Sequence, residues 1–385
     1  MTALVVIWFV LIAVLWTGYL VLEGFDFGVA MLLRIVGKTP EERTATVRTI
    51  GPHWDGNEVW LLTAGGAMFA AFPLWYATMF SGMYMALFLL LVLLILRIVA
   101  IEWRSKIKSQ KWVNTWDTFQ VIAGYGAPLI LGVAFSNLVS GMKIEAQTPT
   151  VVDGRLQVTT IEPSAVSSAL ETGNIAFNLT GGFWSLFTFY SLWGGLTLVA
   201  ISFAQGSQFL SLKTEGEVQK RATKISAPAS IVALVMGAVW VIWGQLAYSA
   251  NAWSWIPLLV AAVSLVLTAM FSQSATRNEG WAFLFSSLGI ASAVAWVFST
   301  MAPYVMKSSI APEYSLSMDW ASSTQPTLTV MLVVAIVLVP IVIGYTLWSY
   351  YVFRGRIDPK STYATQGLLP KSIRPKSNFL TGKQG

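Results

Sequence analysis

Cysteine is absent from this 385-residue chain, and histidine occurs once. The first absence excludes disulfides, cysteine-ligated iron–sulfur or zinc sites and cysteine-attached haem, and it leaves the redox compartment unread. A lone imidazole cannot hold several haem irons. Charge is scarce as well: Asp, Glu, Lys and Arg make up 11% of the residues, against roughly 25% in soluble domains. No Walker or dinucleotide-binding motif occurs, so an ATP-driven pump is not expected. The start, MTALVVIWFVLIAVLW, has neither a basic leader nor a small-residue cleavage site. It is expected to be a retained first helix, not a signal peptide.

What fills the chain is apolar. Hydrophobic residues make up 55% and the mean hydropathy is +0.64. A soluble core cannot absorb that much apolar side chain without large exposed patches; a bilayer can. Runs of about 20 residues, each enough for a hydrocarbon core of roughly 30 Å, recur along the whole length. They predict an all-α integral membrane protein of about nine transmembrane helices, near 4–33, 57–74, 78–100, 117–140, 182–204, 226–249, 254–274, 280–302 and 327–353. Trp253, Trp255, Trp281, Trp348, Tyr350 and Tyr351 sit at span ends, as interfacial anchors do.

The net charge of +6 signals topology, not nucleic-acid binding. With these spans, the odd-numbered connections and the tail hold 21 of the 24 basic residues; the even-numbered ones hold only Lys143, Arg155 and Lys307. The positive-inside rule then puts the N-terminus outside and the C-terminus in the cytoplasm. Two external connections, 141–181 and 303–326, are long enough to fold. VVDGRLQVTT, around Asp153 and Gly154, predicts a hairpin. Thr39-Pro40-Glu41-Glu42 predicts a short interfacial helix over 39–50. The tail from Asp358, rich in Pro, Lys, Ser and Gly, reads as disordered or loosely attached. A weak likeness between residues 63–66 and 179–182 allows two readings, related bundles or glycine pairs that permit close packing.

The ionisable residues in or beside apolar spans fall in the first third of the chain. They are Glu23 and Asp26, Asp55 and Glu58, Arg97 and Glu102, and Asp117. Such groups are costly in a bilayer and mark functional sites. Both Glu23/Asp26 and Asp55/Glu58 are spaced i,i+3 and so share a helix face. Gly24 and Gly28 make a GxxxG pattern for close helix approach. A carboxylate cluster with Arg97 as counter-charge suits a proton uptake route; a buried ion-pair network orienting helices 1 to 4 fits as well. Asp26 and Asp117 are the expected partners of Arg97. His53 opens a helix among polar residues, so hydrogen bonding or proton sharing is favoured over metal binding. The 13 Met and the 18 Trp are dispersed and read as packing or interface residues.

Several segments resemble subunit II of cytochrome bd quinol oxidases. They are GFDFGVAML at 24–32, GPHWDGNEVWLLTAGGAMFAAFP at 51–73, RIVAIEWRSK at 97–106 and WDTFQVIAGYGAPLILGVAFSNLVSG at 116–141. AFLFSSL at 282–288 and SLSMDWASSTQPTLTVM at 315–331 continue the match in order. His53, Trp54, Asp55, Gly56 and Asn57 form its most specific stretch.

The resemblance implies a complex that oxidises quinol, reduces dioxygen to water and generates proton motive force. Two haems b and one haem d are then expected in the partner, subunit I, with no metal or haem ligand on this chain. It implies two four-helix bundles plus one peripheral helix: 1–140 for helices 1–4, 141–181 as external loop, 182–302 for helices 5–8, 303–353 for a second loop and helix 9, and 354–385 as cytoplasmic tail. It places Asp55 and Glu102 on a cytoplasmic proton path, with Asp26 and Glu23 as further candidates. Position 102 is often Asp in relatives. Trp60 matches the start of an oxygen access channel. Glu58 stands where some relatives have Gln, so no essential role is assigned to it. Implied partners are subunit I, small accessory subunits and the lipid bilayer, with no nucleic acid. The implied location is the bacterial or archaeal cell membrane. A proton-coupled secondary transporter is the alternative that the acidic residues leave open.

Overall fold

A computed structural model of the chain describes residues 2–152, 155–173, 175–273 and 275–361. Its first helix, α1 (Ala3–Val36), has 34 residues and rises about 51 Å. Residues 23–33 are buried without exception, so the charged stretch LEGFDFGVAML is the centre of the molecule and not a lipid-facing edge. The interfacial helix follows as α2 (Pro40–Ile50), opened by a capping box: the Glu42 amide donates to Thr39 Oγ1 at 3.3 Å and the Thr39 amide to Glu42 Oε2 at 3.2 Å.

The second and third expected spans are divided differently by the structure. Helix α3 (Trp54–Ala71) stops at Phe72, α4 (Pro73–Gly82) forms the turn, and α5 (Tyr84–Trp103) returns. Phe72 (φ −134°, ψ 69°) is barred from helical geometry by Pro73, which then starts the next helix at its first position. Helix α6 (Gln110–Ser140) completes the first group.

Next come β1 (Ile144–Val152), β2 (Arg155–Thr160), α7 (Val166–Thr172) and β3 (Ala176–Leu179). β1 pairs antiparallel with β2 on one edge and with β3 on the other. The hairpin over 141–181 is therefore present with a third strand added; its turn at 153–154 lies outside the described residues. The remaining helices are α8 (Phe189–Lys213), α9 (Gly216–Tyr248), α10 (Trp255–Ser272) and α11 (Glu279–Met301), then β4 (Tyr304–Met306), β5 (Leu316–Ser317), α12 (Met318–Ala321) and α13 (Gln325–Val352). Ser308 Oγ donates to the Ile144 carbonyl at 2.7 Å and Tyr314 Oη to that of Ile161 at 2.6 Å. The two connections expected to fold thus fold onto one another.

Eight described helices are long and apolar enough to cross a membrane: α1, α5, α6, α8, α9, α10, α11 and α13. With Asp55 and Glu58 in its first turns, α3 falls outside that group on composition. Helix α8 begins later than the expected 182, because Gly182 (φ +67°) turns the chain and Thr188 caps the helix through Ser191. The likeness between 63–66 and 179–182 has no structural counterpart. Gly65 and Gly66 lie inside α3 with open space around them, while Gly181 and Gly182 lie in a turn.

Helix α8 is the axis on which the two halves meet. A Cβ built on Gly28 of α1 would lie 2.0 Å from the Ser202 carbonyl oxygen and 2.7 Å from the Gly206 Cα of α8. One on Gly132 of α6 would lie 2.5 Å from the Gly194 carbonyl oxygen of the same helix. Both crossings are backbone against backbone, which only glycine allows. By contrast α13 is peripheral: Leu328 is its only buried residue. Replacing Gly28 by Ala should lower the yield of folded protein and its thermal midpoint, with a cost of about 1–3 kcal/mol or more from overpacking. Gly66→Ala, with nothing to strike, should leave both unchanged; equal effects from the two would refute the crossing.

Candidate functional site: a buried arginine among three carboxylates

Arg97 points inward from α5 and is fully buried. Its Nη1 donates to Glu23 Oε2 at 2.7 Å, and its Nη2 donates both to Glu23 Oε1 and, at 2.5 Å, to Glu58 Oε2. The Phe27 ring lies 4.9 Å from the guanidinium carbon. A planar fork gripping a carboxylate through two nitrogens is the strongest geometry open to this pair. Glu23 is fully buried, whereas the Glu58 side chain keeps 13% of its surface.

One turn further along α1, Asp26 Oδ2 accepts from Asn57 Nδ2 at 2.8 Å. Asn57 Oδ1 accepts from the Tyr350 hydroxyl at 2.9 Å. Tyr350 stacks on His53, with centroids 4.1 Å apart and planes 4° from parallel, and Phe353 closes the imidazole edge. One polar chain therefore ties α1, α3, α5 and α13 together. Asp26 Oδ1, the Tyr19 hydroxyl and Arg97 Nε have no hydrogen-bond partner among the described residues. Three carboxyl groups face a single cation, so the cluster's charge is set by how many protons it holds.

A second cluster fixes α2 to the bundle. Asp117, fully buried at the start of α6, accepts from Arg104 Nε at 2.5 Å and from Arg43 Nη1 at 3.4 Å. Arg104 Nη1 also donates to Thr44 Oγ1 at 2.9 Å. Arg221 of α9 pairs with Glu42, and that hydrogen bond, aided by those from the Lys38 and Thr39 amides, outweighs burial and holds the Glu42 carboxyl below its usual range.

The expected partners of Arg97 were Asp26 and Asp117; the structure gives it Glu23 and Glu58. Asp117 is served by Arg104, the residue that caps the end of α5, seven residues and about 10 Å beyond Arg97, because α5 and α6 bring the end of one beside the start of the other. Glu58, assigned no essential role from the sequence, is a direct ligand of the guanidinium. Arg104, Arg43 and Tyr350 were counted only as topology charges or interfacial anchors. Asp55 and Glu102, the leading proton-path candidates, are exposed on this chain and form no hydrogen bond or ion pair among the described residues. Gly56 is exposed and Trp54 half-buried. The Trp60 ring lies so close to Gly18 that a Cβ there would be 2.3 Å from it. An apolar groove of about 530 Å³ lies between α3, α4, α5 and α6; Leu61 and Leu62 line it and Trp60 does not.

The sequence profile of the family described as cytochrome bd terminal oxidase subunit II matches residues 4–353. The chain belongs to that family. It is 38% identical over 360 residues to the cytochrome bd ubiquinol oxidase subunit 2 of Bacillus subtilis (strain 168), covering 92% of this chain and 97% of that protein. It is 37% identical over 382 residues to the cytochrome bd-I ubiquinol oxidase subunit 2 of Escherichia coli (strain K12), covering 91% and 94%. The solved structure of the bd oxidase from Geobacillus thermodenitrificans superimposes with a TM-score of 0.67 at 15% identity, over 91% of this chain and 99% of that one; it supports the fold alone. As a bd-type terminal oxidase subunit the chain is a multi-pass cell-membrane protein, and the transporter reading falls away. Subunit II implies a subunit I as partner. Among the described residues no group of three or more His, Asp or Glu side chains is placed to hold a metal ion, and the one imidazole is covered on a face by Tyr350 and on an edge by Phe353.

Removing one member of a buried ion pair costs about 3–5 kcal/mol, because a charge is left stranded. Arg97→Leu should therefore reduce assembled complex severalfold in membrane extracts, and Arg97→Lys, which loses the fork, should recover only part; normal assembly in Arg97→Leu would contradict the pairing.

His53 gives a pH-dependent signature. Burial, aided by Lys213, pulls its imidazole from its ordinary 6.5 down to about 4. The unfolded form takes up a proton below about pH 6.5 that the folded form refuses until about pH 4, so stability falls as pH drops through that window. The thermal midpoint of His53→Phe should fall less between pH 7 and 4.5 than that of the parent; identical slopes would remove His53 from the account.

Proposed function

We propose that this chain is the haem-free second subunit of a quinol-oxidising, dioxygen-reducing complex, and that it passes protons from the cytoplasm toward a haem-bearing subunit I. The observation that carries this is the pairing of an exposed carboxylate with a buried cluster. Asp55 stands free on the outer face of α3, and Glu58, one turn on, reaches the Arg97 fork. A bare carboxylate facing acyl chains would be costly. The exposed positions of Asp55 and Glu102 are accordingly ones that a protein partner or water covers.

In this reading α3 is a ninth span, and 1–140 and 182–302 are two four-helix bundles, joined by the external segment 141–181 and followed by 303–353, an external loop and the peripheral helix α13. The N-terminus is outside and residues 354–385 are cytoplasmic. Arg43, Arg104 and Arg221, ion-paired around α2, and the bias of basic residues to that side support this orientation. Asp55 takes a proton from the water side, Glu58 receives it on the same helix face, and Glu23 and Asp26 extend the route inward. Glu102, exposed near the end of α5, is a second point of uptake. Two haems b and one haem d in subunit I carry the redox chemistry, with quinol as substrate. Trp60, whose ring packs against Gly18 of α1, keeps the oxygen-access role that the resemblance implies.

A relay needs a group that takes and releases a proton, so Asp55→Asn keeps the shape and removes the chemistry. In assembled, haem-replete complex, Asp55→Asn combined with Glu102→Gln should slow quinol-driven oxygen consumption by about 10²-fold, the lower range for lost proton transfer. Glu102→Asp should retain most activity. Wild-type turnover and charge translocation in the double variant would make both carboxylates structural.

A further inference from the structure

A polar cavity of about 520 Å³ lies outside everything described above, between the first turns of α9 and the turn joining α10 to α11. Gln219, Lys220, Thr223 and Lys224 form one wall, and Arg277 and Glu279 stand in the other. The cations outnumber the carboxylate by two. Lys220 is shared with Glu217 at 2.8 Å, while Lys224 and Arg277 have no ion-pair partner among the described residues. The neighbouring Arg221 pairs with Glu42, so the cavity opens on the same membrane side as α2.

Its depth is marked by aromatic rings. Trp281, half-exposed and two residues beyond Glu279, stacks on Phe285 with centroids 5.7 Å apart, and Phe285 stacks on Phe271. Such belts sit at headgroup level. Deeper in the membrane, α9 exposes Ile231, Val232 and Val235, and α10 exposes Val266 and Met270. A positive cavity at headgroup depth thus continues into an apolar wall made by two adjoining helices. Neither half fits a cation, and a free phosphate would use only the upper half.

We propose that this cavity binds the phosphate of an anionic phospholipid of the phosphatidylglycerol class, with the acyl chains along the α9–α10 wall. Lys224 and Arg277 are the two principal contacts and Thr223 borders the phosphate position. A basic residue near an anionic headgroup contributes a factor of about five, so losing both should weaken binding about 25-fold.

The test uses the purified two-subunit complex in detergent, titrated with phosphatidylglycerol and read by native mass spectrometry, with zwitterionic phosphatidylcholine as reference lipid. The parent should retain phosphatidylglycerol preferentially, and the Lys224→Gln/Arg277→Gln variant should lose that preference. A control variant, Lys108→Gln/Lys111→Gln, removes two exposed charges outside the cavity and should keep it. Equal retention by parent and cavity variant overturns the proposal. So does equal loss in the control, which would mean general surface attraction. Displacement of the lipid by excess inorganic phosphate would identify a free-anion site and overturn it too.

Discussion

A guanidinium enclosed by helices has no water to turn to, and the first half of this molecule is organised around that constraint. Arg97 is fully buried, and so is the carboxylate that grips it. Neither charge could remain at that depth without the other, since the desolvation of each is tolerable only when paired and hydrogen-bonded. Glu23 comes from α1, Glu58 from α3 and Arg97 from α5, so the pairing can close only when three helices are in register. Asn57 and Tyr350 carry the same register to α13. A shift of any one helix by a turn, 5.4 Å, would leave a charge unanswered.

Glycine contacts on α8 make that register rigid. Where Gly28 meets Gly206, and Gly132 meets Gly194, the helix backbones are as close as they can be, and dispersion contacts replace the hydrophobic drive that lipid does not supply. Packing of this kind is directional in a way that apolar side chains are not. The same α1 residues that place Glu23 and Asp26 therefore also anchor α1 to the second half of the chain. Around the rim, Asp117 between Arg104 and Arg43 and Glu42 with Arg221 bind α2 across both halves. The polar core and the interfacial clamp have one structural consequence, a set of carboxylates held at fixed spacing.

Much of this was legible in the sequence because a bilayer imposes simple rules. Length of apolar run gives eight of the nine expected spans, and scarcity of intramembrane charge singles out Glu23, Asp26, Asp55, Glu58, Arg97, Glu102 and Asp117. Pairing was not legible. Glu23 and Asp26 differ by only about 60° around one helix, so spacing alone cannot say which faces α5. Arg104 looked like one more loop charge because its burial depends on α2 folding back over it. Tyr350 looked like a belt residue because its partner lies 293 positions away. The strand Ala176–Leu179 was missed for a related reason: four residues without alternation carry no signal until β1 offers an edge.

The position of Glu58 shows how a family pattern and a geometry can disagree without either being wrong. A residue replaced by Gln in some relatives looks dispensable, yet here it accepts directly from the arginine. Gln can accept the same hydrogen bond, so the shape of the cluster survives the exchange while one ionisable group is lost. Glu23 differs: it is buried completely and gripped by both terminal nitrogens, and only a carboxylate answers a fork in that way. The structural demand thus falls on Glu23 and Arg97. Glu58 keeps part of its surface and sits one turn from the exposed Asp55. The carboxylate that the cluster can replace without losing its shape is also the one that keeps some surface open to the outside.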